Sequence, residues 1–237
     1  MGMNPRLLRP RASGFNPKSI SGLAVWLDGS DAATLTLNGS AVSQWADKSG
    51  NGRNATQATA LNQPTTSTIN GKGAVSFDGN SDGLLLGDLS AAFPTAATGF
   101  WVHTKHSGAN TGSYMVASTR NNDGWWTFGG GSSYLGVFRS TRLGPTAIDL
   151  EPAALNCVAV LSTSATYEVY VQGSKVHTAA ASYAGGDNHV IGAGKVPLDF
   201  YLLASVGEVL YYNRALSASE MTTIHKYLSG KWGFTLS

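Results

Sequence analysis

The segment GEVLYYNRALSASEMTTIHKYLSGKWG, residues 207–233, decides the fold of this chain. Its first part mixes β-branched and aromatic residues, a composition that suits a strand buried on at least one face. Ser217 and Glu220 then have the S-x-x-E spacing of a capping box, in which the serine oxygen accepts from a free backbone N–H and the glutamate reaches back to the cap. The segment therefore predicts a buried strand followed directly by a helix.

The predicted helix has a single apolar stripe. Met221, Ile224 and Leu228 recur at i, i+3 and i+7, so they share one face, which must lie on a sheet. Gly233 is available to end the helix, and Trp232 can fold back as an anchor. A short helix packed on a sheet is therefore expected after the last strand.

The rest of the chain reads as short strands joined by tight turns. It has 237 residues with 29 glycines and only 13% charged residues, which is typical of one large β-sandwich domain. Tyr167, Val169 and Val171 alternate with more polar residues, as in a half-buried strand. Five more strand candidates are residues 100–103, 114–116, 125–128, 134–138 and 157–161. The fold class predicted is all-β: an antiparallel two-sheet sandwich with one peripheral helix.

Four further segments carry a family resemblance. They are GLAVWLD at 22–28, VSQWADKSGNG at 42–52, AVSFDG at 74–79 and YEVYVQG at 167–173. Together with the closing segment, and in this order, they resemble the strands and the Asp-x-Ser-Gly-Asn-Gly turn of laminin G-like, concanavalin A-like jelly-roll domains, which are common in phage and bacterial surface proteins. The resemblance implies a jelly-roll sandwich.

The resemblance covers residues 20–233 and is weakest from about 93 to 150. It divides the chain into an extended basic arm, residues 1–19, and a laminin G-like jelly-roll domain, residues 20–237. The family occurs mostly outside cells. Cys157 has no partner for a disulfide within the chain, and the N-terminus lacks the apolar stretch of a secretory signal. Synthesis in a host cytoplasm, followed by release on the surface of a virion, would reconcile these observations.

The basic arm concentrates the excess positive charge. Residues 1–27 contain four basic residues and no acid, whereas the remaining chain has 12 basic and 14 acidic residues. Three interpretations compete: a functionless tail, a nucleic-acid arm, and a docking arm that lies along another protein. We favour docking, because a protein groove can take leucines while its carboxylates pair with guanidinium groups. The docking residues predicted are Arg6, Leu7, Leu8, Arg9 and Arg11.

Catalytic carboxylates are hard to find in this sequence. Relatives of the fold that cleave polysaccharides use two carboxylates on one strand, which requires acids two or four residues apart on one face. Asp149 and Glu151 are the only candidate pair, but Pro145 and Pro152 place them in a loop or at a strand start. We therefore expect no catalytic residues and no enzyme activity, with a glycoside hydrolase as a distant alternative.

Metal sites are equally weak. The histidines are scattered along the chain, at His103, His106, His177, His189 and His225. A loop calcium would draw on aspartates in turns, namely Asp47, Asp78, Asp82, Asp123 and Asp187. Each aspartate is more simply explained as a turn residue that binds its own backbone, so no cofactor is expected and bound calcium is not favoured.

One segment has the composition of a sugar-binding site. Asn121, Asp123, Trp125, Trp126 and Tyr134 combine aromatic faces with amide and carboxylate groups that can bind hydroxyls. Consecutive tryptophans on a strand face opposite ways, so one belongs to the core and only the other can stack on a glycan. Simple core and edge packing of all these aromatics is the competing interpretation.

The sequence thus predicts a non-catalytic structural protein of a phage-like virion, either a capsid decoration or a tail or fibre-associated subunit. Its arm would dock on a capsid or tail protein and its lectin-like head would be exposed. The alternative is a carbohydrate-binding module that recognises host or environmental polysaccharide, and the two roles are compatible. A homo-oligomer such as a trimer is expected, without nucleic-acid or membrane partners.

Overall fold

A computed structural model describes most of the head. Backbone and side chains are described for residues 14–93, 95–104, 154–180, 189–193 and 201–237, and the backbone alone for the four strands at 113–118, 126–129, 134–139 and 141–143. The predicted Asp149 and Glu151 pair and residues 1–13 lie outside the described residues.

The described residues form seventeen strands and one α-helix. The strands are β1 (Leu23–Asp28), β2 (Leu35–Asn38), β3 (Ala41–Trp45), β4 (Ala55–Thr56), β5 (Thr65–Ile69), β6 (Lys72–Asp78), β7 (Leu84–Gly87), β8 (Ala97–Thr104), β9 (Ser113–Ser118), β10 (Trp126–Gly129), β11 (Tyr134–Arg139), β12 (Thr141–Leu143), β13 (Leu155–Ser162), β14 (Thr166–Val171), β15 (Ser174–Ala180), β16 (His189–Ile191) and β17 (Leu203–Tyr212). The helix is α1 (Ala218–Trp232).

The strands form two antiparallel layers, as predicted. The back sheet runs β15–β14–β13–β8–β17. On the other edge of β17, the first half of the strand pairs with β6 and the second half pairs with β1. β5 lies on the far side of β6. The front sheet runs β2–β3–β4–β7–β16–β9–β10–β11–β12. A single pairing between Ala41 and Thr65 links the two layers. β17 is therefore the central strand of the back sheet.

The main core fills the space between the two sheets. Trp45 and Leu84 contribute from β3 and β7 of the front sheet, and both are fully buried. Phe77, Trp101 and Tyr211 meet them from the back sheet, where the Trp101 indole N–H donates to the Tyr211 hydroxyl at 3.2 Å. This bond gives the indole N–H a partner inside an apolar core, where an unpaired donor would be costly.

The helix covers the outer face of the back sheet. Met221, Ile224 and Leu228 are buried against a second apolar cluster that includes Phe100 and Leu210 of the sheet, which confirms the predicted stripe. Because the helix buries this part of the outer face, β8 and β13 are almost continuously buried.

Both ends of the helix match the sequence prediction. The Ser217 side chain accepts from the Glu220 backbone N–H, and the Glu220 carboxylate accepts from the Ser217 backbone N–H, which completes the capping box. Gly233 ends the helix in the left-handed region with φ of 84°, a conformation that glycine adopts without strain. Near this end, the hydroxyl of the half-buried Ser229 donates to the Phe234 carbonyl at 2.6 Å.

A buried carboxylate joins the helix to the central strand. Glu208 of β17 is 1% exposed and accepts hydrogen bonds from the indole N–H groups of Trp26 at 2.8 Å and Trp232 at 2.7 Å. The Tyr227 hydroxyl donates to it at 2.8 Å, and the Lys231 ammonium lies 2.8 Å from its second oxygen. Four donors therefore replace the water that this charge loses on burial.

A second carboxylate completes this ionic cluster. Asp28 of β1 is directly paired with Glu208 across the two strands, and it binds the same Lys231 ammonium at 2.7 Å. Lys48 contacts its other oxygen at 2.9 Å. Burial alone would raise the pKa of Asp28, but the charge and hydrogen bond of Lys231, with hydrogen bonds from Ser30 and Lys48, outweigh it and lower the pKa.

The Asp-x-Ser-Gly-Asn-Gly turn binds the free edge of β1. The Asp47 carboxylate accepts from the Trp26 backbone N–H at 2.9 Å, as a neighbouring strand would do. The Ala24 carbonyl accepts from the side chains of Ser49, Asn51 and Arg53 at 2.8–3.1 Å. The turn therefore satisfies backbone groups of an edge strand through side chains.

Replacing Lys231 tests how much the buried cluster contributes. Lys231→Met leaves two buried carboxylates without their shared cation, and we expect it to lower the free energy of unfolding by about 3–5 kcal/mol. The matched control is Lys175→Met, which breaks an exposed pair with Glu168 and should cost at most about 1 kcal/mol. Urea unfolding at pH 7 measures both; equal losses would contradict the assigned role of the cluster.

Candidate functional site

The predicted sugar-binding residues belong to the front sheet where they are described. Trp126 begins β10 and Tyr134 begins β11, and these two strands are neighbours in the front sheet. Tyr134 pairs with Gly129, three positions along β10 from Trp126. Asn121, Asp123 and Trp125 lie outside the described residues, so their position in the site stays a prediction.

The strand register distinguishes between the two neighbouring tryptophans. Trp126 pairs with Ala117, Ala117 pairs with Ile191, and Ile191 pairs with Leu84. Ile191 and Leu84 are fully buried in the core between the sheets. Trp126 therefore shares a register row with these two core residues. Because neighbours in a strand alternate between faces, Trp125 is the tryptophan that we predict to contact a ligand.

The opposite face of the front sheet has its own row of residues. Gln44, Thr56, Leu85 and Val190 are paired in sequence across β3, β4, β7 and β16, but Val190 is fully buried, so the accessible part of the row ends at Leu85. Thr56 is exposed and Gln44 and Leu85 are half-buried, so an amide, a hydroxyl and an aliphatic surface lie side by side. Among the described elements no helix covers this face, in contrast to the back sheet.

One acid pair of the fold escaped the sequence analysis. Asp28 and Glu208 both contact the Lys231 ammonium, at 2.7 and 2.8 Å, so these two carboxylate oxygens are at most 5.5 Å apart. This is close to the separation of about 5–5.5 Å that retaining glycosidases use. However, Glu208 is enclosed by the helix and by two indole groups, and its oxygens are occupied. A substrate has no access to the pair, which is structural.

Asp47 binds backbone groups, as the sequence predicts for a turn aspartate. Asp47 binds backbone N–H groups of Trp26, Ser49 and Arg53, which is the arrangement of a structural turn. No group of three or more His, Cys, Asp or Glu side chains suited to a metal ion occurs among the described residues. The remaining candidates for metal binding, His106, Asp123 and Asp187, lie outside the described residues.

A second acid pair lies in the turn after β6. The Asp78 carboxylate accepts from the backbone N–H groups of Asn80, Ser81 and Asp82, and the Asp82 carboxylate accepts from the Asp78 backbone N–H at 2.9 Å. Burial, together with the nearby charge of Asp78, raises the pKa of Asp82 to about 6. Burial acts in the same direction on Asp78, but its backbone hydrogen bonds outweigh that effect and lower its pKa.

The chain enters the head on the helix side. Phe15 contacts the Tyr227 ring of α1 with a centroid distance of 5.4 Å, and Ile20 is buried in the cluster between helix and back sheet. The Tyr212 hydroxyl donates to the Pro17 carbonyl at 3.1 Å. The predicted docking residues, Arg6, Leu7, Leu8, Arg9 and Arg11, lie outside the described residues.

Comparison with protein families gives one match. The model described as the concanavalin A-like lectin/glucanases superfamily matches residues 77–222, which is more than half of the chain. No curated protein matches this chain. No helix among the described residues is both long enough and apolar enough to cross a membrane.

Solved structures with a similar fold belong to carbohydrate-active proteins and a toxin. A Trypanosoma rangeli sialidase in complex with sialic acid has a TM-score of 0.64 and 16% identity, covering 90% of this chain and 33% of the sialidase. Domain 4 of an extracellular arabinanase from Geobacillus stearothermophilus, in complex with arabinotriose, has a TM-score of 0.62 and 16% identity, with coverage of 86% and 98%. The binding domain of Paraclostridial Mosquitocidal Protein 1 has a TM-score of 0.63 and 13% identity, with coverage of 88% and 52%. The chain thus spans about a third of the sialidase, and the likeness concerns the fold.

Proposed function

The protein belongs to the concanavalin A-like lectin/glucanase superfamily, and we propose that it is a non-catalytic carbohydrate-binding module whose front sheet contacts the glycan. The observation that carries this proposal is the asymmetry of the sandwich. The helix covers the back sheet, whereas no described helix lies on the front sheet, to which the strands of Trp126 and Tyr134 belong. The accessible groups of this face, Gln44, Thr56 and Leu85, can contact a ligand.

The similar structures support binding more than cleavage. The Geobacillus domain is matched over almost its whole length, and its structure contains arabinotriose. The toxin segment is described as a binding domain. The sialidases, by contrast, are matched over only a third of their chains. We therefore propose that this chain binds a saccharide. We do not extend to it the hydrolysis that a larger enzyme performs.

The described acid pairs also favour a non-catalytic role. Glu208 and Asp28 are occupied by a lysine beneath the helix, and Asp78 and Asp82 lie in one turn whose backbone they bind. Neither pair offers two free carboxylates on an open sheet face, which the glycosidase mechanism requires.

The two tryptophans give a sharp test of the glycan site. We expect Trp125→Ala to weaken binding on a glycan array, or by calorimetry, at least tenfold while leaving the melting temperature unchanged, because an exposed aromatic face stacks on the sugar. Trp126→Ala should instead lower the melting temperature, because Trp126 shares a register row with the core residues Ile191 and Leu84. Tyr170→Ala, on the back sheet, is the control that should leave binding intact. If the wild type binds a glycan and the Trp125→Ala variant binds it with the same affinity, the proposed site is wrong.

We also propose that the head is displayed on a phage-like virion through its arm. The support is the place where the chain enters: residues 14–21 pack against the layer of helix and back sheet, opposite the front sheet. An arm docked on a capsid or tail protein from that side would leave the front sheet facing outward. In such an arrangement the structural role and the sugar-binding role support each other.

Removal of the arm charges tests the docking proposal. We expect the combined replacement of Arg6, Arg9 and Arg11 by serine to abolish incorporation into particles, because the guanidinium groups pair with carboxylates of the partner. Quantitative mass spectrometry of purified particles measures incorporation, and glycan binding by the isolated protein should be unchanged. Normal incorporation of the triple variant would disprove docking through these residues without affecting the glycan proposal.

A further inference from the structure

The turn after β6 is physically tied to a second loop. The Ser81 hydroxyl donates to the Leu61 carbonyl at 3.2 Å, and the Gly83 backbone N–H donates to the Asn62 carbonyl at 3.2 Å. The Gln57 amide closes the junction by donating to the Gly83 carbonyl at 2.8 Å. Residues 78–83 and 57–63 therefore form one hydrogen-bonded unit, which we call the acid latch.

Two reciprocal hydrogen bonds hold the acid latch together. The Asp78 backbone N–H donates to the Asp82 carboxylate at 2.9 Å, and the Asp82 backbone N–H donates to the Asp78 carboxylate at 3.2 Å. This arrangement brings two carboxylates into the same six-residue turn. Asp82 is only 6% exposed, whereas Asp78 is exposed and accepts two further backbone N–H groups. The two acids thus have different environments, which separates their protonation behaviour.

No cation balances Asp82 within the latch. Residues 57–63 contain no charged or titratable side chain, and Asp78 is the only titratable residue beside Asp82 in 78–83. The strand ends packed against the turn add no charged group. The Gly79 backbone N–H donates to the Leu202 carbonyl, and Gly79 lies against Leu203. Gly83 is followed by the buried Leu84. Among the described residues, the charged group that faces the ionised Asp82 is therefore the like-charged Asp78, in a desolvated site.

We propose that the acid latch is a pH-sensitive conformational device that is closed when Asp82 is protonated and loosens when Asp82 ionises. A protonated Asp82 keeps an oxygen for the Asp78 N–H and removes the repulsion between the two acids. Ionisation places a second negative charge in the turn and favours its opening to water. Opening releases residues 57–63, including Leu61, which is 86% exposed at the surface of the latch.

The sign and size of the effect follow from linkage. The pKa of Asp82 is raised to about 6 in the folded protein, above its usual value of 3.8, so the closed latch binds a proton more tightly than the open latch. Closure is therefore most favourable below about pH 4 and weakens as the pH rises to 6 and above. Because each unit of pKa difference is a factor of ten, the opening equilibrium constant should rise by up to about 100-fold across this interval.

Hydrogen–deuterium exchange of the full chain measures latch opening. After correction for intrinsic exchange, the amides of residues 57–63 and 78–83 should open 10-fold to 100-fold more at pH 7.5 than at pH 4.5, while the β8 amides stay protected. Asp82→Asn should hold the latch closed at both pH values, because its amide oxygen still accepts from the Asp78 N–H. The matched control is Asp88→Asn, an exposed turn aspartate that binds the Ser90 N–H at 2.8 Å and should leave the pH dependence unchanged.

Direct titration of the wild type keeps the proposal testable if a variant misfolds. Carbon-13 NMR of the Asp82 carboxyl should show an inflection near pH 6, and Asp78→Asn should move it lower by removing the neighbouring charge. An Asp82 inflection near pH 4, or exchange of the latch that does not change with pH, would refute the device. Both results concern the latch alone and leave glycan binding by the front sheet unaffected.

Discussion

The contact of Lys231 with Glu208 and Asp28 is the constraint on which the rest of this structure depends. Glu208 lies in the central strand of the back sheet, Asp28 in the strand paired with it, and Lys231 in the last turn of the helix. A buried carboxylate is costly unless its donors are correctly placed. The cluster therefore allows only a narrow range of positions for the helix on the sheet. Apolar packing alone would tolerate a sliding helix, whereas these directional bonds do not.

This position of the helix gives the sandwich two unlike faces. The back sheet is buried on both sides where the helix lies, since one side faces the core and the other faces the helix. The front sheet has one buried side and one with exposed and half-buried groups such as Thr56 and Leu85. The entering chain packs on the helix side, close to Tyr227. The proposed attachment and the proposed glycan recognition would thus use opposite sides of the domain and would not compete for the same surface.

Local patterns in the sequence predicted the parts of the fold that depend on near neighbours. The capping box at Ser217 and Glu220, the apolar stripe beginning at Met221 and the alternation along β14 all formed as expected, because each depends on residues a few positions apart. Composition and the resemblance of short motifs to a known family both indicated a two-sheet sandwich, but neither gave the order of the strands. The family match over residues 77–222 agrees with that assignment.

The features that the sequence did not reveal join residues far apart in the chain. Asp28 and Glu208 are 180 positions apart, so a search for two acids on one strand could not find them. The Asp47 turn was recognised as a motif, yet its task of binding the open edge of β1 became visible only in three dimensions.

The two acid pairs show why residue type alone does not decide function. Asp28 and Glu208 share a lysine, and the pKa of Asp28 is lowered, so this pair acts as a fixed structural joint. Asp78 and Asp82 have no cation within the latch, and the pKa of Asp82 is raised to about 6. Similar carboxylates therefore stabilise one junction and make another responsive to pH. The difference arises from the partner that each pair receives on folding, because a shared cation stabilises two negative charges whereas a second carboxylate destabilises them.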